Sequence, residues 1–260
     1  MRNIKAKRIV VKIGTNVITG RNGMLNSGLL KRLVAQIAGI KSRGRKVIVI
    51  TSGAIGAGMK ELKLSSRPKD VTMQQVCAAV GQNILMSRYH SFFGRHNIKV
   101  AQILITYEAF SDKRTFKNFR SSLNKLLKLG VVPIINENDP ISIDEIGPSF
   151  GDNDNLSALI ASKMKADLLV ILTDVDGLFN KDPQHKNAVL IKEIHDISRN
   201  IEAINGKSSQ LGIGGVQTKV KAAKTATKAG AIVVIANGKT GNVLLKVLSN
   251  EDIGTIFYPK

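Results

Sequence analysis

Short runs of β-branched and aliphatic residues alternate with windows of helical periodicity along almost the whole chain. Arg8 to Ile13 reads as a first strand that breaks at Gly14-Thr15-Asn16 and leaves Lys12 at its carboxyl end. Leu29, Leu30, Leu33, Val34, Ile37 and Ile40 then share one helix face, opened by an Asn26/Ser27 cap and stopped by Gly44. Lys46 to Thr51 is a second strand, running into Ser52-Gly53-Ala54-Ile55-Gly56-Ala57-Gly58. That stretch reads as a loop poor in bulky side chains, where backbone N–H groups can approach a ligand and Ser52 adds a hydroxyl. Helical windows follow around Met73 to Phe93 and Thr115 to Leu129, with an apolar run from Val100 to Ile105 between them. Further apolar runs are Val131 to Ile135, Asp167 to Thr173 and Ala231 to Ala236. The alternation predicts an α/β fold with a mostly parallel sheet covered by helices on both faces. Without repeats or long linkers, the chain reads as one domain spanning 1–260.

Two polar bursts interrupt this rhythm between Val131 and Ala161. Asn136-Glu137-Asn138-Asp139 ends an apolar run, and Gly151-Asp152-Asn153-Asp154-Asn155 opens a helix carrying Leu156, Leu159, Ile160 and Met164. Caps and turns account for one or two such residues. A ligand site accounts for the rest, because in open α/β sheets ligands collect where strand carboxyl ends meet helix N-termini. A third candidate is Gly212-Ile213-Gly214-Gly215-Val216-Gln217-Thr218-Lys219, a glycine-rich turn into a helix with Val220, Ala223 and Ala226 on one face. Such a turn cradles anions, with Lys219 adding a full charge in the first turn.

Composition changes this picture little. A chain of 260 residues with one cysteine, Cys77, folds on its core and not on disulfides, and four scattered histidines offer no zinc spacing, so a reducing cytoplasm is expected. The N-terminal apolar run is too short for a signal peptide or a membrane span. The net charge of +20 would suit nucleic acid, but the basic residues spread along helix faces (Lys113, Arg114, Lys117, Arg120, Lys125, Lys128; Lys221, Lys224, Lys228) without interleaved aromatics. A solvated basic surface that attracts anionic substrates, with no specific nucleic acid, is the expectation.

Several motif matches fail. Gly238-Lys239-Thr240 lacks the glycine a phosphate-binding P-loop needs, since Val233 stands there. Asp152-Asn153-Asp154-Asn155 and Asp174-Val175-Asp176-Gly177 lack the glycine register and closing glutamate of an EF-hand. What survives is a lysine near each end of the chain, two glycine-rich stretches, and acid-amide clusters between them. Phosphoryl transfer needs that inventory: cationic clamps, carboxylates and accurate placement of the acceptor.

Seven motifs, in order over essentially the whole chain, resemble the amino acid kinase family. They are Lys12-Ile13-Gly14-Thr15, Thr51-Ser52-Gly53-Ala54-Ile55, Ala79-Val80-Gly81-Gln82, Pro133 to Asp139, Gly151 to Ala158, Leu172 to Leu178 and Gly214 to Lys219. The Asn136 to Asp139 and Gly151 to Asn155 clusters single out its glutamate-phosphorylating branch from those acting on acetylglutamate, aspartate, carbamate or UMP. The resemblance implies an αβα sandwich on an eight-stranded, mainly parallel sheet, with an acceptor lobe at about 1–165 and a nucleotide lobe at about 166–260. It implies that Lys12 and Lys219 contact the moving phosphoryl group from opposite sides while Asp154 holds both. Ser52, Gly53, Asn138, Asp139 and Asn153 would hold L-glutamate. Lys12, Gly14, Thr173, Asp174 and the run Ile213, Gly214, Gly215, Val216, Gln217, Thr218 and Lys219 would line ATP, with Mg²⁺ bridging its phosphates and no metal ligand of the chain certain. The product would be L-glutamyl 5-phosphate, first step of proline synthesis. Proline as feedback inhibitor, glutamyl phosphate reductase as partner and a homo-oligomer are implied as well. Ile213 and Val216 stand where the family more often has threonine and methionine. Many bacterial members also continue into a small domain called PUA, so the resemblance covers a kinase domain only. A related amino acid kinase acting on another acceptor is one alternative, and a basic, non-catalytic nucleic-acid or regulatory module on this fold is the reading from a different class.

Overall fold

The computed structural model describes residues 2–20, 23–141, 153–197 and 213–259. In chain order the elements are β1 (Arg8–Ile13), α1 (Thr15–Ile18), α2 (Ser27–Ser42), β2 (Lys46–Thr51), α3 (Ala54–Glu61), α4 (Val71–Gly94), β3 (Val100–Ile105), α5 (Glu108–Ser111), α6 (Lys113–Lys128), β4 (Val132–Glu137), α7 (Asn153–Lys163), β5 (Leu168–Thr173), β6 (Leu178–Phe179), β7 (Leu190–Ile191), β8 (Glu193–Ile194), α8 (Ile213–Lys228), β9 (Ile232–Asn237), α9 (Val243–Leu248) and β10 (Thr255–Phe257). Eight strands form one sheet in the order β3-β4-β2-β1-β5-β9-β10-β8. Six of them, β3 through β9 in that order, run parallel; β10 turns antiparallel to β9 and β8 pairs parallel with β10. Strands β6 and β7 form a separate antiparallel pair.

The two-residue period of a strand sorts the core into two layers. Ile9, Val11 and Ile13 of β1 join Val47 and Val49 of β2 and Leu168, Val170 and Leu172 of β5 under α2, α4 and α9. Val10, Ile48, Ile50, Leu169 and Ile171 face the other way, under Leu123 and Leu127 of α6, Leu156 and Ile160 of α7, and Val220, Ala223 and Ala226 of α8. Lys12 shares its parity with Val10, which aims it at the layer containing α7 and α8. Strand order also matters here. The chain leaves β1 towards β2, then returns to β5 on the other side, so the carboxyl end of β1 lies at the switch point where such sheets bind ligands.

Local chemistry sets the helix limits. The Asn26 side chain accepts from the Leu29 amide at 3.0 Å and Gly44, with φ +77°, follows the end of α2. The exposed basic residues of α6 and α8 lie on the solvent side of these helices. No helix among the described residues is long and apolar enough to cross a membrane.

Two expectations are corrected. Only Ser52 and Gly53 form the turn after β2, because α3 already begins at Ala54. Gly58 serves helix packing: a Cβ there would lie 1.8 Å from the Cys77 carbonyl of α4, and one on Gly81 of α4 would lie 1.9 Å from the Ala54 carbonyl, while Gly56 of α3 lets the Gly23 carbonyl approach to 2.2 Å from where its Cβ would stand. Similarly, α8 begins at Ile213, so Gly214 and Gly215 are helical and Lys219 stands in its second turn instead of its first. Gly151, Asp152 and Gly212 lie outside the described residues.

Candidate active site

Lys12, brought to the switch point by β1, meets the first turn of α7. Its Nζ lies 2.7 Å from Oδ1 of Asp154, and the Lys219 Nζ, from α8, lies 3.1 Å from Oδ2 of the same carboxylate. Asp154 is fully buried, Lys12 is 3% exposed and Lys219 is 12% exposed. The Thr218 hydroxyl donates to Asp154 Oδ2 at 3.2 Å, and the Lys219 ammonium also donates to the Gly215 carbonyl at 3.1 Å. A carboxylate at a helix N-terminus is favoured by the helix dipole, and burial without partners would cost it several kcal/mol. Two ammonium groups on one carboxylate more than neutralise it. The triad is therefore a partly desolvated cationic centre, suited to an anion that bridges both lysines.

Gly14 keeps space open beside it. Its amide donates to the Leu172 carbonyl at 3.1 Å, and a Cβ there would come within 2.9 Å of that oxygen and 3.5 Å of the Lys12 Nζ. On the β5 side, the Asn16 side-chain Nδ2 donates to Asp174 Oδ2 at 3.1 Å and the Thr173 hydroxyl to Asp174 Oδ1 at 3.3 Å. The end of β9 completes this rim: the Gly238 amide donates to the Thr173 carbonyl at 2.8 Å, and the Asn237 side chain to Asp176 Oδ1 at 3.0 Å. Asn237 belongs to no motif, and Gly238 only to the discarded P-loop match, although the rule that ligands gather at strand carboxyl ends points to both.

A second cluster lies on the β2 and β4 side. The Asn153 Nδ2, at the start of α7, faces three oxygens: Thr51 O at 2.9 Å, Ser52 Oγ at 3.0 Å and Asn136 Oδ1 at 3.0 Å. Asn136 belongs to β4, which runs two residues further than the apolar run suggests and buries both Asn136 and Glu137. Its own Nδ2 donates to Gln82 Oε1 of α4 at 3.1 Å. Asp139 is buried and Asn138 half-buried just beyond β4, the Asn138 amide donating to the Ile105 carbonyl. Gly53 adopts φ +97°, the left-handed backbone this turn requires, with Ile18 Cδ1 3.0 Å from where a Cβ would stand. Of the α8 residues, Thr218 and Lys219 reach Asp154. Val216 is half-buried, Gly215 and Gln217 are exposed, and Ile213 and Gly214 are placed in the helix backbone only. Cys77 is buried and free, with burial raising its thiol pKa.

A lysine pair on one buried carboxylate beside an amide cluster, at the switch point of a parallel sheet, suits phosphoryl transfer, and the chain belongs to the amino acid kinase family, whose model matches residues 7–237. Within that family, relatives 43–47% identical to this chain are named glutamate 5-kinases. The one from Caldanaerobacter subterraneus subsp. tengcongensis is 47% identical over 97% of this chain and 68% of that protein. The one from Methanosarcina barkeri is 47% identical over 96% of this chain and 68% of that protein. Solved structures share the fold at low identity. The carbamate kinase from Giardia lamblia bound to AMP-PNP gives a TM-score of 0.68 at 18% identity, covering 98% of this chain and 99% of that one. The T. acidophilum isopentenyl phosphate kinase gives 0.63 at 20%, covering 96% and 99%.

Proposed function

We propose that this protein transfers the γ-phosphoryl group of ATP to the side-chain carboxylate of L-glutamate, forming L-glutamyl 5-phosphate and ADP, the first step of proline synthesis. The observation that carries the reading is the shared counter-ion: Lys12 and Lys219 take one oxygen each of Asp154. A non-catalytic binding module gains nothing from two lysines held on one buried carboxylate. Glutamate as the acceptor is supported by the curated relatives, which are named glutamate 5-kinases.

The acceptor carboxylate has a reference pKa of about 4.3, so it arrives as an anion and requires no general base. What opposes reaction is repulsion between that anion and the phosphates. Each lysine offsets it by roughly 4 kcal/mol for charges about 4 Å apart at an effective dielectric near 20. Asp154 positions the two ammonium groups before the substrates arrive. Ser52, Gly53, Asn138, Asp139 and Asn153 hold the amino acid. Gly14, Thr173, Asp174 and the α8 residues 213–219 hold the nucleotide.

The donor set fits a triphosphate: two ammonium groups, and beside Lys12 a glycine whose missing Cβ leaves room. Magnesium supplies charge neutralisation on the ATP phosphates. Among the described residues no group of three or more His, Cys, Asp or Glu could hold a metal ion. The acyl phosphate product is an activated carboxyl, which a reductase would consume, with proline acting back on the glutamate site of a cytoplasmic homo-oligomer.

The test is ADP release with L-glutamate set against aspartate, N-acetylglutamate, carbamate and UMP. Turnover with glutamate alone is the expected result. Turnover with another acceptor and none with glutamate would overturn the assignment.

A further inference from the structure

Behind the amide cluster stands α4, which carries none of the residues assigned above. Gln82 and Tyr89 are seven residues apart, two helical turns, and both are buried against the sheet. Gln82 Oε1 accepts from Asn136 Nδ2 at 3.1 Å, and Tyr89 Oη lies 2.7 Å from Thr51 Oγ1. Thr51 Oγ1 also lies 3.0 Å from the Ser52 carbonyl, to which it donates its single hydroxyl hydrogen. The hydrogen in the tyrosine–threonine bond must then come from Tyr89, whose phenol burial keeps protonated by raising its pKa.

The Thr51 carbonyl settles a choice that a carboxamide otherwise leaves open, because it can only accept and so takes the Asn153 Nδ2. Asn136 then presents Oδ1 to Asn153 and Nδ2 to Gln82, whose Oε1 accepts. With Asn136 Oδ1, Thr51 O and Ser52 Oγ all facing it, Asn153 must present its Nδ2 inward. A flipped Asn153 would set its oxygen against the Asn136 and Thr51 oxygens, neither of which can donate.

We propose that Gln82 and Tyr89 are positioning residues for the acceptor: Gln82 holds Asn136, whose Oδ1 receives the Asn153 Nδ2, and Tyr89 holds the Thr51 hydroxyl on the Ser52 carbonyl, so that Asn153 and the Ser52 turn keep their places for the amino acid. This rests on the reading that Asn153 and Ser52 hold glutamate. The relay passes from α4 through β4 to α7 and through β2 to the Ser52 turn, and Lys12, Lys219 and Asp154 lie outside it. Its signature is accordingly a change in acceptor binding with little change in nucleotide binding.

The experiment measures steady-state ADP release for Gln82→Met, Tyr89→Phe, Asn153→Ala and the Gln82→Met/Asn153→Ala double variant, each checked for folding by circular dichroism. Gln82→Met keeps the volume and removes the acceptor; Tyr89→Phe keeps the ring and removes one hydroxyl, so at least one of the two should fold. Gln82→Met is expected to raise KM for glutamate about tenfold, the value of one net hydrogen bond, and Tyr89→Phe about threefold, with KM for ATP unchanged within twofold. In the Asn153→Ala background Gln82→Met should add nothing, because its effect passes through the amide that is gone. An unchanged KM for glutamate in both single variants, or equal rises for glutamate and ATP, overturns the relay while leaving the acceptor site in place if Asn153→Ala still raises KM. An unchanged KM in Asn153→Ala removes that acceptor site and the relay together.

Discussion

Lys12 and Lys219, from opposite ends of the chain, share a single buried counter-ion. Lys12 binds one carboxylate oxygen of Asp154 at 2.7 Å and Lys219 the other at 3.1 Å, so each lysine is oriented by the group that orients its counterpart. The consequences follow from how differently the three can respond when one is removed.

Asp154→Asn leaves two ammonium groups without their carboxylate. Lys219, at 12% exposure, can turn towards water, whereas Lys12, at 3%, has no such route. A stability loss of about 3 kcal/mol is expected, together with turnover lowered at least a hundredfold. Thermal unfolding and ADP release check the two effects separately.

Gly58→Ala tests the corrected role of the α3 glycines. The added Cβ would meet the Cys77 carbonyl at 1.8 Å, so α3 and α4 must separate, at a cost of about 3 kcal/mol. If the glycine serves packing, urea unfolding shows the loss while KM for both substrates stays within about twofold in the folded enzyme. A large rise in KM without a stability loss would restore a ligand-contact role.

At the far edge of the molecule, the hydrogen bond from Lys192 holds the Asp252 carboxyl below its ordinary value of 3.8, with Coulombic attraction from Lys192 and Arg2 adding to it and desolvation opposing. A lowered folded-state pKa gives stability that is complete above that ordinary value and disappears as pH falls through the lowered one. Asp252 is half exposed, so the contribution is below about 1 kcal/mol. Asp252→Asn should lower Tm slightly at pH 7 and flatten its decline below about pH 4. An unchanged acid limb in Tm against pH would contradict this.

The sequence made some strands legible to the residue. Arg8–Ile13, Lys46–Thr51 and Val100–Ile105 begin and end where their apolar runs do, and for the first two neighbouring charges and glycines mark the limits. Strands β6, β7, β8 and β10 span two or three residues, too short for any period to show. Helix α3 was hidden because glycine disfavours helices in isolation, and its packing on α4 overrides that preference. Lys12 and Lys219 stood out as charges beside glycine-rich turns, and Asp154 as a member of an acid-amide burst. The Asn153 contacts were illegible, because their partners reach one nitrogen from two places far apart in sequence, Thr51 and Ser52 at the end of β2 and Asn136 in β4. Gln82 gave no signal beyond its place in a motif, since a glutamine on a helix is ordinarily a solvent residue.

The most direct measurement is the turnover of Lys12→Ala and Lys219→Ala with saturating ATP and glutamate, in protein shown to be folded. A clamp on the moving phosphoryl group requires each variant to lose on the order of a thousandfold in ADP release. Near-normal turnover in either would mean that its ammonium group stabilises Asp154 and nothing more.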